Sequence, residues 1–185
     1  IDLPEDLERI DAGIADLGRK IHRQLGRRDV AGLVDAPRSR DPEEIQLTAL
    51  LGALSPASYA VQPNLAILLG SMLVNRGLEH GFTPTTALGF AMWPTRPAGD
   101  KATAIAHRKL AIELAKRSGD RALYGQVVCV AVPSGAFMAL GYREAAKLAM
   151  EGFEACEANG DRLFAAYNLI TRLVSGALGG SGTIS

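Results

Sequence analysis

Neither sign of charge is in excess: 20 Lys and Arg stand against 20 Asp and Glu, for a formal net charge of zero. With no basic surplus to neutralise phosphates, nucleic acid is excluded as the expected partner. Cysteine is scarce, with Cys129 and Cys156 isolated from each other in sequence. That excludes a disulfide framework and makes a reducing cytoplasm the expected compartment. Long apolar runs are lacking too. The longest, Leu65 to Val74, is interrupted by Gly70 and Ser71, and its length is about half of what a membrane span needs. Pro56, Pro63, Pro84 and Pro94 divide the wider apolar zone further. No signal peptide is visible, and the chain opens on Ile1 rather than Met, as expected of a piece of something longer. Chemistry is also sparsely provided for. No Gly-rich loop ends in Gly-Lys-Ser/Thr, so a phosphate-binding loop is absent and the chain is expected not to bind ATP. His22, His80 and His107 are far apart and neither Cys has a partner at ligand spacing, so neither a metal site nor a cofactor is expected. Pro133-Ser134-Gly135 lacks the Gly-x-Ser-x-Gly pattern of a nucleophile elbow. Glu113 and Glu154 are repeat equivalents on solvated faces, and His22 is an ordinary surface histidine. No catalytic residue emerges.

What is present is abundant apolar material, 48% of residues, distributed with helical spacing. It is unevenly mixed with charge: from Gln46 to Gly99 only Arg76, Glu79 and Arg96 are charged. A stretch that apolar must be covered by its own chain or by a neighbour. The organising feature is a repeated phrase, Ser118-Gly119-Asp120-Arg121 and Asn159-Gly160-Asp161-Arg162. Glu113 matches Glu154, Ala115 matches Cys156 and Leu123 matches Phe164. A helix runs into each Gly and another starts after it. A period of roughly 40 residues built from two helices marks an α-helical repeat array.

The remaining elements follow from caps and stripes. Asp2-Leu3-Pro4 reads as a helix start, followed by one apolar stripe of Leu7, Ile10, Ile14, Leu17, Ile21 and Leu25 with Gly26 as C-cap. This helix, residues 1–26, is expected to dock on the repeats. Residues 27–41 form a charged connector with a small apolar patch, Val30, Leu33 and Val34. Asp41-Pro42-Glu43-Glu44 starts a second helix. Ser55-Pro56 is expected to end it near Leu54, with a short helical turn over Ala57 to Val61. A third helix opens at Pro63 and closes at Gly81. A fourth is capped by Thr83-Pro84 and ends near Trp93-Pro94, and Pro97-Ala98-Gly99-Asp100 is a turn. Helices five to eight are two equivalent pairs: Lys101 to Lys116 and from Asp120 onward, then Tyr142 to Ala158 and Asp161 to about Leu178. Residues 179–185 form a flexible tail. Val127-Val128-Cys129-Val130-Ala131-Val132 reads locally as a strand, but its repeat position and the lack of a partner strand favour a helix kinked near Pro133. The predicted fold is thus all-α, with residues 42–178 as stacked helical hairpins in a short right-handed α-solenoid.

At this point the order of phrases resembles a known family. Arg23-Gln24-Leu25-Gly26-Arg27-Arg28, Asp41-Pro42, Leu50-Leu51-Gly52-Ala53-Leu54-Ser55-Pro56-Ala57-Ser58-Tyr59 and Pro63-Asn64-Leu65 carry the likeness, with Met72-Leu73-Val74-Asn75, His80-Gly81-Phe82-Thr83-Pro84, Leu114-Ala115-Lys116 and Gly119-Asp120. Over roughly Gln24 to Tyr167 the chain resembles the tetratricopeptide-like helical region of large bacterial multidomain signalling ATPases. There such a region sits between an AAA-type ATPase module, often preceded by a kinase-like domain, and GAF and histidine-kinase or related output modules. Pro94-Thr95-Arg96-Pro97 departs from the pattern by interrupting an otherwise continuous helix. The resemblance implies a non-catalytic, cytoplasmic scaffold or relay segment contacting proteins or neighbouring domains of the same chain, with no catalytic residues carried over.

Candidate groove residues are the polar side chains inside apolar helices: Asn64, Ser71 and Asn75 in helix three, Gln126 in helix six and Asn168 in helix eight. Such amides either line a ligand groove or satisfy neighbouring helix ends. Trp93, Tyr124 and Tyr167 are equally groove walls or core. A small-molecule sensory domain with an apolar cavity among helices two to six is the alternative. A cavity lined by Met72, Met92 and Trp93 would favour that sensor, and a groove with exposed Asn and Arg would favour the scaffold. At the C-terminal end, Leu169, Ile170, Leu173, Val174 and Leu178 are accompanied only by Arg172. That uncapped face predicts a homodimer through the last helix.

Overall fold

The computed structural model describes residues 6–26, 28–93, 101–136 and 140–180. The expected start at Asp2-Leu3-Pro4, the turn Pro97-Ala98-Gly99-Asp100 and the tail over 181–185 lie outside these residues. The chain is all-helical in what is described: α1 (Leu7–Leu25), a 3₁₀ turn (Ala31–Asp35), α2 (Pro42–Val61), α3 (Pro63–His80), α4 (Thr86–Met92), α5 (Lys101–Ser118), α6 (Arg121–Ala131) running into a π-helical turn (Val132–Ala136), α7 (Tyr142–Glu157) and α8 (Arg162–Leu178). The extended backbone contact among the described residues is a single parallel bridge, Arg38 to Phe82.

α1 starts where Asp6 accepts from the Arg9 N–H at 2.8 Å and ends where the Gly26 N–H donates to His22 O at 2.9 Å. Gly26 has φ +53°, a conformation that glycine adopts without steric cost. The apolar stripe packs on α3, burying Ile10, Ile21 and Leu25. Two side-chain bonds fix its register there: Asn64 Nδ2 to Asp11 Oδ1 at 2.8 Å, and Gln24 Nε2 to Glu79 Oε1 at 3.1 Å. The connector is held as well. Leu33 is buried with Val30 and Val34 against it. Phe82 N–H donates to Pro37 O at 2.8 Å and Ser39 N–H to Phe82 O at 3.0 Å. Arg117 on α5 reaches Asp35 at 2.7 Å and Glu113 at 2.9 Å.

Part of the charge-poor stretch is accounted for by α4, in which every residue is buried, whereas Leu50, Tyr59 and Val61 on α2 stay exposed. α3 and α4 approach almost backbone to backbone. A Cβ on Gly70 would stand 2.7 Å from Met92 Cβ, and one on Gly89 would stand 2.8 Å from Leu73 Cβ. Only glycine permits that spacing. α2 departs from expectation. It does not stop at Ser55-Pro56 but continues as one helix to Val61, with Pro56 inside it. Ser55 Oγ donates to Leu51 O at 3.1 Å, supplying a hydrogen bond beside the place where the proline lacks its N–H. Pro133 is absorbed differently. Val127 to Ala131 is α-helical, and the π turn begins at Val132. Ser134 Oγ there donates to Val130 O at 2.5 Å, satisfying a carbonyl beside the disturbed turn.

The repeated phrase has repeated geometry. Gly119 and Gly160 have φ +75° and +72°. Asp120 accepts from the Leu123 N–H at 3.0 Å, and Asp161 from the Phe164 N–H at 3.3 Å. Asp120→Ala and Asp161→Ala are each expected to cost about 0.5–2 kcal/mol. Thermal melts of the two single variants check this; unchanged melting temperatures in both would remove the capping role. Beyond this turn, α6, α7 and α8 meet at one tight crossing. A Cβ on Gly125 would lie 2.3 Å from Cys156 Sγ and 2.8 Å from Gly152 O.

Candidate functional site

An apolar cleft of about 860 Å³ opens between the α2–α3 corner and α8, with α4 and α6 at its back. One wall is Ser55, Pro56, Tyr59 and Ala60 of α2 with Pro63, Ala66 and Ile67 of α3. The opposite wall is Leu163, Phe164, Tyr167, Ile170 and Thr171, one face of α8. Leu88 and Met92, then Cys129, Val130, Pro133 and Ser134, close it behind. Among the described residues no charged residue lines it. It opens to solvent, since Tyr59 is 67% exposed and Leu163, Tyr167 and Ile170 are each about half exposed.

The continuation of α2 past Pro56 creates this site, because Tyr59 and Ala60 lie on the added turn. The serine and threonine hydroxyls in the walls are committed internally, with Thr171 Oγ1 donating to Tyr167 O at 3.0 Å. Ser55 Oγ bonds Leu51 O, as above. Ser134 Oγ accepts from Arg108 Nε at 2.9 Å while donating to Val130 O. The Cys129 thiol is pushed up to about 12, first by burial and then by Cys156 and Asp161 nearby. At neutral pH it is therefore a thiol, without the thiolate character that nucleophilic chemistry requires. Among the described residues no group of three His, Cys, Asp or Glu is placed to hold a metal ion.

The five candidate groove residues are elsewhere. Asn64 ties α3 to α1. Ser71 is buried and donates to Ile67 O at 2.9 Å. Asn75 is buried, with its Oδ1 lacking a hydrogen-bond partner. Gln126 Nε2 donates to Asp161 Oδ2 at 2.8 Å, bracing the cap of α8. Asn168 is fully buried and donates to Gly125 O at 2.9 Å and Phe164 O at 3.0 Å, bridging α6 and α8. None lines the cleft. Of the aromatic candidates, Trp93 is core, Tyr124 is half-buried and donates to Glu151 at 2.9 Å, and Tyr167 is a cleft wall.

Sequence reasoning missed a second cluster. His107 is 1% exposed, stacked on Phe90 with ring centroids 5.7 Å apart and edge-on to Trp93 at 4.9 Å. His22, exposed on α1, meets the same indole at 5.4 Å, so two histidines far apart in sequence share one tryptophan. Both ring nitrogens of His107 lack hydrogen-bond partners. Burial, then the Arg108 and His22 charges, hold its pKa down at about 4. Arg108 beside it is equally buried, its pKa lowered by burial. The available signal was the pair His107-Arg108 within a helix whose next turns, Leu110, Ala111, Ile112, Leu114 and Ala115, are apolar.

Comparison with protein-family models, with curated proteins and with solved structures gives no match for this chain.

Proposed function

We propose that this chain is a non-catalytic helical scaffold or relay segment of a cytoplasmic signal-transduction protein, and that it docks other polypeptides or neighbouring domains through the cleft and the outer face of α8. The observation that carries this reading is the cleft, an apolar groove with no charge among its described lining residues, whose lips, Tyr59, Leu163, Tyr167 and Ile170, stand half exposed or more. Apolar helices seat in grooves of this kind by side chains spaced three and four residues apart. In support of a short right-handed α-solenoid, helix packing follows chain order. α2 packs on α3, α3 on α4, α4 on α5, α5 on α6, α6 on α7 and α7 on α8, and the further contacts mostly reach one element beyond. In such an array a partner on one face biases the stacking angle and hence a neighbouring domain. The cytoplasmic placement rests on the two buried free cysteines. No described helix is long and apolar enough to cross a membrane.

The cleft volume favours a second reading, a small-molecule sensor, because about 860 Å³ lies within the range of small-ligand sites. Met92 lines it, whereas Met72, Trp93, and any Asn or Arg among the described residues do not. The open lips distinguish the two readings, since small ligands are held in sites that cover most of their surface.

The test is a photo-crosslinking residue, p-benzoylphenylalanine, in place of Tyr59 or Tyr167 in cells, with Lys147 on α7 as control position. Covalent adducts to polypeptide at 59 and 167 but not at 147 are expected. Absence of polypeptide adducts, together with a co-purifying mass of a few hundred daltons in native mass spectrometry, would replace the scaffold by the sensor.

A further inference from the structure

We propose that the occupant of the α8 face is α8 of a second copy, paired antiparallel about a two-fold axis beside Ile170. This rests on the reading of that face as a protein-docking surface and names its partner. Leu163, Tyr167, Ile170 and Val174 follow one another at intervals of four, three and four, and Leu178 continues the stripe. That is the seam spacing by which one helix packs along another. Leu163, Tyr167, Ile170, Leu173, Val174 and Leu178 are each between 51% and 60% exposed. The stripe is about 22 Å long at the helical rise, which is longer than the cleft mouth formed by Leu163 to Thr171. Together with Tyr59 on the opposite wall of the cleft, the exposed apolar surface is on the order of 600 Å², at the upper limit of what monomers leave uncovered and close to the ~800 Å² per partner of a stable interface.

Charge selects the direction. No charged residue lies on the stripe. Arg172 projects about half a helical turn away from it. Arg162 flanks its N-terminal end, and the last turn of α8 carries no basic residue. In an antiparallel pair each Arg162 sits beside the partner's C-terminal carbonyls, where the helix dipole favours a cation. A parallel pair would place the two Arg162 side chains together and align the dipoles.

Light scattering and sedimentation across a micromolar concentration series should show the wild type as a dimer. Ile170→Glu and Val174→Glu should each weaken association about 100-fold or more, because each buries a carboxylate in the seam, while the helical circular dichroism is retained. Mild oxidation should link Ile170→Cys to itself between copies. Leu163→Cys should not link to itself but should link to Leu178→Cys in a mixture, with peptide mapping to exclude Cys129 and Cys156. A wild type that is monomeric at every concentration overturns the proposal. Self-linking of Leu163→Cys overturns the antiparallel pairing. A monomer whose photo-crosslinks at Tyr167 lead only to a different polypeptide overturns the second copy as occupant and leaves the docking reading standing. A monomer with no polypeptide adducts removes both.

Discussion

Arg76→Ala is expected to lower the stability of the chain by about 3 kcal/mol, the low end for a broken buried pair because the arginine itself is 31% exposed. Glu44 is 4% exposed, in the first turn of α2. Its carboxylate is gripped by both arms of the Arg76 guanidinium on α3, Nε to Oε1 at 2.8 Å and Nη2 to Oε2. Removing the arginine leaves a carboxylate out of water with no cation, and that orphaned charge, rather than the lost attraction, sets the cost. The double variant Glu44→Gln/Arg76→Met removes both charges and should recover at least half of the loss. Urea unfolding of the single and double variants checks this. A single variant within about 0.5 kcal/mol of wild type would mean that water reaches Glu44 freely and the pair is worth no more than a surface ion pair.

The second large effect is a loss of stability on acidification, carried by His107. Its pKa is about 4 in the folded chain, against about 6.5 for an unfolded histidine. Between those values the unfolded chain binds the extra proton, so stability is full above about pH 6.5 and falls as the pH drops toward 4. The gap corresponds to about 3 kcal/mol once the pH is below both values. Among the described residues the groups facing the ring are Phe90, Trp93, His22 across the indole, and Arg108, none of them an anion that would welcome the proton. His107→Leu should flatten the stability profile between pH 6.5 and 4.5 relative to wild type. It should leave neutral-pH stability equal or higher, because two unpartnered nitrogens are removed from the core. Parallel profiles for variant and wild type would show that acid unfolding is governed by the carboxylates instead.

Caps and stripes were legible because they are local. Asp41 and the paired Asp120 and Asp161 each satisfy a backbone N–H two or three residues on. That geometry depends only on the next turn of chain. The stripe of α1 likewise announces a face that must be covered. Proline was read correctly at Pro42 and Pro63, where it opens a helix, and incorrectly at Pro56. Propensity counts the N–H that Pro56 lacks, yet α2 runs on to Val61, with the Ser55 hydroxyl donating to Leu51 O beside the proline. The cleft was not legible for the same reason. Its walls, Tyr59 and Tyr167, come together only because α2 extends past Pro56 and α8 lies across the groove. The polar candidates were chosen by contrast with apolar neighbours, yet contrast marks a need for hydrogen bonds, and Asn64, Gln126 and the Nδ2 of Asn168 meet it inside the fold.

The sequence by itself determined that this chain is helical, where most of its helices start and stop, and that two of its helix pairs share one turn. Those are properties of hydrogen bonds and side-chain periodicity within a few residues. Only the tertiary structure decided which apolar faces cover one another and which remain open. That choice depends on glycines admitting close approach, Gly70 and Gly89 between α3 and α4 and Gly125 and Gly152 among α6, α7 and α8. It also depends on a buried pair, Glu44 with Arg76, reaching across helices. An apolar stripe states that burial is favourable; shape complementarity at the crossing decides against what. α1 found its partner in α3, while the stripe of α8 is left facing outward.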